Sequence, residues 1–252
     1  MRFEGKSVLI TGGSEGIGFA IAAGLVKEGA RVLLVARREE VLAEAARKLG
    51  PNASYLAGDV ASTQTAERAV EAALSRHGGL DLLVNNAGIL RPGTVADLSM
   101  EDVDAMLAVN LRSAVTFTHA AVKPMSQRKG AAILMISSAV GRIPLPGMSV
   151  YGATKAAMQH LTVTWAVELA EQGIRVNCLC PGATETPAFR EAAKLIPHLE
   201  PWTLANSLIK RVAPAEEVAR HALTLLDEKD GGFVTGAIWD VDGGYQRGRF
   251  LG

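Results

Sequence analysis

Short apolar runs and amphipathic stretches alternate along the whole chain. The apolar runs, such as VLLV, are almost uninterrupted, which is typical of strands that are buried on both faces of a sheet. The stretches between them repeat apolar residues at helical spacing. This alternation predicts an α/β fold, a doubly wound parallel sheet with helices on both faces. The seven predicted strands cover residues 7–10, 31–36, 53–58, 80–88, 131–138, 174–182 and 236–244.

One domain is expected over residues 1–252, because no linker, repeat or low-complexity tract interrupts the pattern. Long helices are predicted from Met100 to about Arg128 and over roughly 150–172. The stretch 186–215 departs from the alternation, with four prolines among large apolar side chains. It could be a packed surface insertion or a substrate lid. We favour a lid, because it follows the sixth strand at the carboxyl edge, where α/β sheets bind ligands.

The eight residues TGGSEGIG connect the first strand to the first helix. Their glycines Gly12, Gly16 and Gly18 allow backbone N–H groups to approach phosphate oxygens, and the helix N-terminus adds partial positive charge. A tight turn without a ligand is the alternative. Together with the strand order, the motif predicts a Rossmann-type domain that binds a pyrophosphate.

Composition limits the partners. Lys and Arg total 26, and Asp and Glu also total 26, so no nucleic-acid or anionic-membrane partner is indicated. No segment approaches the ~20 apolar residues of a membrane span, and no separate signal segment precedes the first strand. A cytoplasmic protein without a metal site is expected. Cys178 and Cys180 share one strand face and are interpreted as buried core thiols.

Tyr151 and Lys155 lie four residues apart in the predicted helix that follows the fifth strand. Residues at this spacing share one helix face, so phenol and ammonium are expected to be neighbours. A nearby cation would lower the pKa of the tyrosine and make it a general acid or base at neutral pH. Ser138 ends the fifth strand, and Asn110 stands in an otherwise apolar helical stretch. Each alone is a common structural residue, but together they indicate a site.

The motifs TGGSEGIG, GDV, NNAG, YGATK, PGATET and VDGG, with Asn110 and Ser138, follow one another in a characteristic order from Lys6 to Gly244. In this order and spacing the chain resembles the short-chain dehydrogenase/reductases, in their compact single-domain branch. It is most similar to 3-oxoacyl-(acyl-carrier-protein) reductases and related hydroxysteroid or sugar-alcohol dehydrogenases. The resemblance implies an oxidoreductase that interconverts a ketone and a secondary alcohol by hydride transfer.

The resemblance also implies a role for each matching residue. Tyr151 would exchange the proton with the substrate oxygen, and Lys155 would lower its pKa and bind the nicotinamide ribose. Ser138 would hold the substrate oxygen, and Asn110 would anchor a water that relays protons from Lys155. The residues expected to bind the cofactor, besides Tyr151 and Lys155, are Gly12, Ser14, Ile17, Gly18, Arg37, Arg38, Asp59, Val60, Asn86, Ala87, Gly88, Pro181, Gly182, Thr184 and Thr186.

NADP(H) is expected in preference to NAD(H). At the end of the second strand Ala36 takes the place of the acidic residue that would bind a ribose hydroxyl, and Arg37 follows directly. An arginine there can bind the 2′-phosphate with two hydrogen bonds. Glu15 provides no second cation on the glycine loop, although many NADP-using relatives carry one there.

The substrate is not determined by these motifs. A mainly apolar pocket wall is predicted from Leu90, Arg91, Ile143, Pro144, Leu145, Met148, Phe189 and Trp202, and Arg91, Arg142, Lys210 and Arg211 are candidates for contact with an acyl carrier protein. A non-catalytic NADP-binding regulatory protein, and a dehydratase, epimerase or enoyl reductase on the same fold, are the alternatives. The resemblance further implies a homotetramer or homodimer, with the C-terminal YQRGRFLG near another subunit.

Overall fold

The seven predicted apolar runs form one parallel sheet. The computed structural model describes residues 1–196 and 198–245. Within this part of the chain the strands are β1 Ser7–Thr11, β2 Arg31–Ala36, β3 Ala53–Ala57, β4 Leu82–Asn85, β5 Ala132–Ile136, β6 Arg175–Pro181, β7 Thr184–Glu185, β8 Ala213–Pro214 and β9 Ile238–Val241. The large sheet has the order β3-β2-β1-β4-β5-β6-β9 with every neighbour parallel, which confirms the predicted Rossmann-type, doubly wound fold.

Helices connect the strands. They are α1 Gly16–Lys27, α2 Glu39–Leu49, α3 Thr63–His77, α4 Met100–Met106, α5 Ser113–Met125, α6 Ser149–Glu168, α7 Pro187–Leu195, α8 Leu199–Asn206 and α9 Ala215–Leu226. The helix predicted from Met100 to about Arg128 is interrupted, because a π-helical segment, Leu107–Arg112, joins α4 to α5. The helix predicted to reach residue 172 ends at Glu168 and gives way to a short 3₁₀ turn.

Both faces of the sheet are covered, which explains why its strands are continuously apolar. Along β1, Leu9 packs into the core shared with α3, α5 and α6, whereas Val8 and Ile10 pack into the opposite core with α1, α2 and α9. All three side chains are fully buried. Successive side chains of a strand point to opposite faces, so a strand between two helix layers has no polar side.

The strand order determines where a ligand can bind. The order in which strands are added to the sheet reverses at β1: β2 and β3 extend the sheet on one side, and β4 and the later strands extend it on the other. β1 and β4 are therefore neighbours in the sheet, although two strands lie between them in sequence. The helices that follow these two strands leave toward opposite faces and open a crevice at the carboxyl edge of the sheet. The glycine loop after β1 and the NNAG loop after β4 both begin at this crevice.

The predicted lid segment is anchored at both ends. Thr184 pairs with Ala213, and Glu185 pairs with Pro214, in the two-stranded parallel sheet of β7 and β8. Helices α7 and α8 lie between these strands. The segment therefore leaves the body of the protein and returns to it at one point, beside the end of β6.

The described residues contain no helix that could cross a lipid bilayer. Cys178 and Cys180 are both buried, with their sulfur atoms 3.8 Å apart, as expected for two thiols on one strand face. No group of three or more metal-ligating side chains occurs in the described part of the chain.

Candidate active site

A cleft of about 320 Å³ opens at the carboxyl edge of the sheet. Its walls come from the loops after β1, β4, β5 and β6, from α6, and from the segment with α7 and α8. Twelve of the residues predicted from the sequence line it: Gly12, Ile17, Asn86, Ala87, Gly88, Ser138, Tyr151, Lys155, Pro181, Gly182, Thr184 and Thr186. The fold thus brings segments that are distant in sequence to one cavity.

Contacts within the protein determine the conformation of the glycine turn. Gly12 has a φ of +64°, and its main-chain oxygen accepts a hydrogen bond of 2.9 Å from Asn86 Nδ2. A Cβ on Gly18 would lie 2.4 Å from Asn86 Nδ2 and 2.4 Å from the Gly12 oxygen. Gly18 is therefore required by this internal packing, in addition to any approach of a phosphate.

The N-terminus of α1 remains available to an anion. Glu15 is the N-cap residue, but its side chain does not bond to the helix. The N–H groups of the first turn have no acceptor within the helix, and they carry the positive end of the helix dipole. Gly16 and Ile17, which belong to this turn, line the cleft. The arrangement fits the pyrophosphate of a dinucleotide.

Tyr151 and Lys155 share the face of α6 that meets the end of β5. Lys155 Nζ is buried, donates a 2.9 Å hydrogen bond to the Ile136 oxygen, and lies 5.8 Å from the centroid of the Tyr151 ring. Burial lowers the pKa of Lys155 from 10.5 to about 8. The ammonium is thus held beneath the tyrosine by a strand carbonyl.

The expected fall in the pKa of Tyr151 is not found. Burial raises the pKa of this phenol, and a hydrogen bond with Ser138 opposes that rise only in part. Lys155 does not reverse the effect in this arrangement; its ammonium is bonded to the Ile136 oxygen and lies 5.8 Å from the centre of the phenol ring. In the protein without ligand, Tyr151 is therefore a protonated phenol at neutral pH.

Ser138 is held in place by its neighbours. Its Oγ accepts a 3.2 Å hydrogen bond from the Val140 N–H. Its carbonyl accepts from Gln159 Nε2 at 3.1 Å, and the same amide donates to Ser137 Oγ at 3.1 Å. Ser137 Oγ donates in turn to the Lys155 carbonyl at 2.8 Å. Gln159 and Ser137 thus fasten the end of β5 to α6, a function that no sequence motif indicated.

Asn110 is fully buried at the π-helical segment and does not line the cleft. Its Oδ1 accepts from the Ile89 N–H at 2.7 Å, and its Nδ2 donates to the Ile89 oxygen at 2.9 Å and to Thr154 Oγ1 at 3.2 Å. The amide therefore connects the loop after β4 to α6. π-Helical turns often occur at functional sites.

Six further predicted residues lie outside the cleft lining: Ser14, Gly18, Arg37, Arg38, Asp59 and Val60. Arg37 and Arg38 are exposed at the end of β2. Arg38 forms an ion pair with Glu15, so its guanidinium is already occupied. Asp59 is exposed and accepts a 3.0 Å hydrogen bond from the Ala61 N–H, whereas Val60 is buried.

The predicted pocket wall is correct in half of its members. Leu90, Leu145, Met148 and Phe189 line the cleft, but Arg91, Ile143, Pro144 and Trp202 do not. Four further residues line the cleft without any sequence motif that indicates them: Val140, Leu199, Thr203 and Tyr245. Tyr245 is buried and packs edge-on against Trp202, with ring centroids 5.7 Å apart. The placement of the C-terminal YQRGRFLG near another subunit stays a prediction; Tyr245 is its one described residue, and residues 246–252 lie outside the described residues.

Comparison with known proteins agrees with this architecture. The family model described as short chain dehydrogenase matches residues 6–195. An uncharacterized oxidoreductase of Thermotoga maritima is 36% identical, over 97% of this chain and 98% of its own. The 3-oxoacyl-(acyl-carrier-protein) reductase of the same organism is 35% identical, over 97% of this chain and 99% of its own.

Solved structures resemble it over nearly the whole length. L-Sorbose reductase from Gluconobacter frateurii, solved with NADPH and L-sorbose, has a TM-score of 0.92 and 35% identity, covering 98% of this chain and 99% of its own. A short-chain dehydrogenase from Burkholderia cenocepacia, solved with NADP, has a TM-score of 0.89 and 34% identity, covering 98% of this chain and 100% of its own. From its fold, cleft and relatives, the chain belongs to the short-chain dehydrogenase family of oxidoreductases.

Proposed function

We propose that the protein is an NADP(H)-dependent oxidoreductase that interconverts a ketone and a secondary alcohol, with Tyr151 as general acid or base. The observation that carries the proposal is the convergence of Tyr151, Ser138 and Lys155 in one cleft, beside the glycine turn that fits a pyrophosphate. When bound, the nicotinamide would supply or accept the hydride.

The side chains would handle the proton and the substrate oxygen. In the direction of reduction, the protonated phenol of Tyr151 donates its proton to the carbonyl oxygen. Ser138, hydrogen-bonded to Tyr151, holds that oxygen in place. Lys155 would bind the nicotinamide ribose, and its ammonium, 5.8 Å from the centre of the Tyr151 ring, would help to return a proton to the phenolate that remains. In oxidation the same groups act in reverse.

The proton that Tyr151 gives up must be replaced from solvent. We assign this relay to Lys155 and to a water bound at Asn110. Asn110 Oδ1 accepts one hydrogen bond among the described residues, from Ile89, so one lone pair remains for a water. The remaining cofactor positions keep the roles stated above, with Asp59 and Val60 at the adenine and Thr184 and Thr186 at the nicotinamide.

The preference for NADP(H) rests on the end of β2. Arg37 is exposed there and forms no ion pair with any described residue, so its guanidinium can bind a 2′-phosphate. Ala36 presents no carboxylate that would repel it. The pair of Arg38 with Glu15 weakens the second predicted contact. Two structural relatives solved with NADP or NADPH support the same preference.

Turnover of NADPH with a panel of ketones tests the proposal. We expect Tyr151→Phe to lower kcat by about 10² or more, as loss of a general acid does. Tyr55→Phe, on β3 and away from the cleft, is the matched control and should keep its activity. NADPH binding without turnover of any ketone would favour the non-catalytic alternative. Turnover that survives in Tyr151→Phe would refute the assigned role.

Arg37→Ala tests the cofactor preference separately. Loss of a charge-assisted hydrogen bond weakens binding by about 1.5–3 kcal/mol, so the ratio of NADPH to NADH affinity should fall at least about tenfold. Arg47→Ala, on the exposed surface of α2, is the control. An unchanged NADPH preference would refute the assignment.

We also propose that residues 186–215 form a lid and that the protein is a homodimer or homotetramer. The anchoring of the segment by β7 and β8 would let α7 and α8 move as a flap over the cleft.

Exposed apolar side chains are candidates for contacts between subunits. They are Val163 and Val167 on α6, Val115 on α5 and Leu107 in the π-helical segment. Light scattering on the purified protein tests the oligomeric state.

A further inference from the structure

The cleft also indicates what kind of molecule it accepts. We infer, on the basis of the proposed function, that the substrate is a free, uncharged ketone or alcohol with an apolar body, recognised at a single oxygen. This excludes anionic and carrier-bound ketones and sugars as preferred substrates. The inference depends on four features of the cleft: its charges, its apolar wall, its hydroxyl groups and its rim.

Two charged side chains line the described cleft, Glu15 and Lys155. Glu15 lies at the glycine turn and is paired with Arg38. Lys155 is buried beneath Tyr151 and bonded to the Ile136 oxygen. Neither offers a positive charge to the part of a substrate beyond its reacting oxygen. A carboxylate or phosphate buried there would lose its hydration without gaining a counter-ion.

The wall beside Tyr151 is apolar. Met148 and Leu199 are 5% and 6% exposed, and they form one cluster with Tyr151 and the partly buried Leu145 and Phe189. These side chains come from the loop before α6, from α7 and from α8, so the segment that contains α7 and α8 contributes an apolar surface to the cleft. Each methylene of substrate buried against such a surface strengthens binding.

Four hydroxyl groups of the lining donate hydrogen bonds within the protein. Thr203 Oγ1 donates to the Leu199 oxygen at 2.7 Å, and Ser137 Oγ donates to the Lys155 oxygen at 2.8 Å. Thr184 Oγ1 donates to the Gly182 oxygen at 3.1 Å, and Thr186 Oγ1 donates to the Thr184 oxygen at 3.3 Å. A sugar carries several hydroxyls that must all find partners in a closed cleft. The hydroxyls of Ser138 and Tyr151 can bond to one substrate oxygen, the reacting one.

Each of the four described basic side chains named above as candidates for contact with an acidic carrier protein already has a partner within the protein. The arginines named above as candidates for that contact are neutralised by ion pairs: Arg91 with Asp102 at 3.2 Å, Arg142 with Asp240, and Arg211 with Glu217 at 2.8 Å. Lys210 donates its hydrogen bond to the Ala205 oxygen at 2.8 Å. An approaching acidic surface would have to displace three carboxylates.

A matched substrate pair tests the inference. We would compare, with NADPH, the ethyl ester of a 3-oxo acid and the free carboxylate of the same acid, over a series of chain lengths, with L-sorbose and a 3-oxoacyl carrier-protein thioester beside them. We expect kcat/KM for the ester to exceed that for the carboxylate by about 10² or more. It should rise about fourfold for each methylene added to the ester, as burial of a CH₂ predicts.

Leu145→Arg sharpens the test. A cation placed in the apolar wall should narrow or reverse the preference between ester and carboxylate, whereas Leu74→Arg, on the outer surface of α3, should not. A wild-type preference for the carboxylate, the sugar or the carrier thioester would overturn the inference. A ratio that Leu145→Arg leaves unchanged would show that this wall does not contact the substrate, and would overturn it as well.

Failure of the proposed function can be distinguished from failure of this inference about the substrate. If no compound is turned over, the proposed function fails, and equilibrium binding to the complex with NADPH still decides the inference. Calorimetric titration with the 3-hydroxy ester and the 3-hydroxy carboxylate should then show tighter binding of the ester. Equal or tighter binding of the carboxylate would overturn it.

Discussion

Lys155 is a buried cation whose charge should destabilise the protein without cofactor at neutral pH. Its pKa falls from 10.5 to about 8 because the ammonium loses its hydration. At about 1.4 kcal/mol per unit of pKa, this fall corresponds to about 3.5 kcal/mol of destabilisation when the group is charged. Replacing Lys155 with Met keeps the length of the side chain and removes the charge. It also removes the charge-assisted hydrogen bond to the Ile136 oxygen, which is worth about 1.5–3 kcal/mol.

We therefore expect Lys155→Met to raise the free energy of unfolding by about 0.5–2 kcal/mol at pH 7. The effect depends on pH in a definite direction. Below pH 8 the lysine is charged in the folded and the unfolded chain, and the full destabilisation is present. Between pH 8 and 10.5 the folded chain has released a proton that the unfolded chain still binds, so the wild type gains stability relative to the variant. Above pH 10.5 the difference due to charge disappears.

Urea denaturation of both proteins, without cofactor, from pH 7 to about 10.5 measures this difference. Lys123→Met, on the exposed side of α5, is the control and should follow the wild type at every pH. Other groups titrate over the same range, but they do so in both proteins and cancel in the comparison. If Lys155→Met is no more stable than the wild type at pH 7, and the two pH profiles are parallel, the assigned cost of burial is wrong.

Three further changes have definite expected results. Glu15→Gln releases Arg38 from its ion pair, and the affinity ratio of NADPH to NADH, measured by fluorescence titration, should rise by about twofold to fivefold, as the strength of an exposed ion pair predicts. Burial lowers the pKa of His77, so folding stability is lost as the pH falls below 6.5; His77→Gln should reduce this acid destabilisation in urea titrations, whereas the exposed His119→Gln should not. Gln159→Leu removes the bonds to the end of β5, and it should lower kcat severalfold with little change in the KM for NADPH, because it displaces Ser138 and leaves the glycine turn intact.

The fold follows closely from the sequence. Apolar runs such as that of β1 specify strands buried on both faces, and their alternation with helical stretches specifies a parallel sheet with helices as crossovers. This pattern is local, because each strand and helix carries its own periodicity. The interruption between α4 and α5 carries no such signal. The sequence around Asn110 is an apolar helical stretch that is compatible with an α-helical or a π-helical turn. The π-helical turn places Asn110 where it bonds to Ile89, 21 residues away, and that contact is not visible in the local pattern.

The lining of the candidate site was predictable in part, and its electrostatics were less so. The spacing of Tyr151 and Lys155 placed them on one helix face, and the strand ends placed Ser138 beside them. The direction of the pKa shift of Tyr151 was not predictable in this way, because burial depends on every segment that surrounds the phenol. The ion pair of Glu15 with Arg38 likewise joins the glycine loop to the end of β2.

Local sequence patterns specified the strands, most of the helices, the edge of the sheet at which a ligand can bind and the residue types that meet there. Packing between distant segments sets which of these groups are charged, which hydroxyls are already bonded and which apolar side chains enclose the cleft. Tyr245 shows the difference: it follows the last strand without any motif, yet it is buried in the cleft against Trp202. Periodicity is a property of neighbours along the chain, whereas hydration and hydrogen-bond partners are properties of neighbours in space.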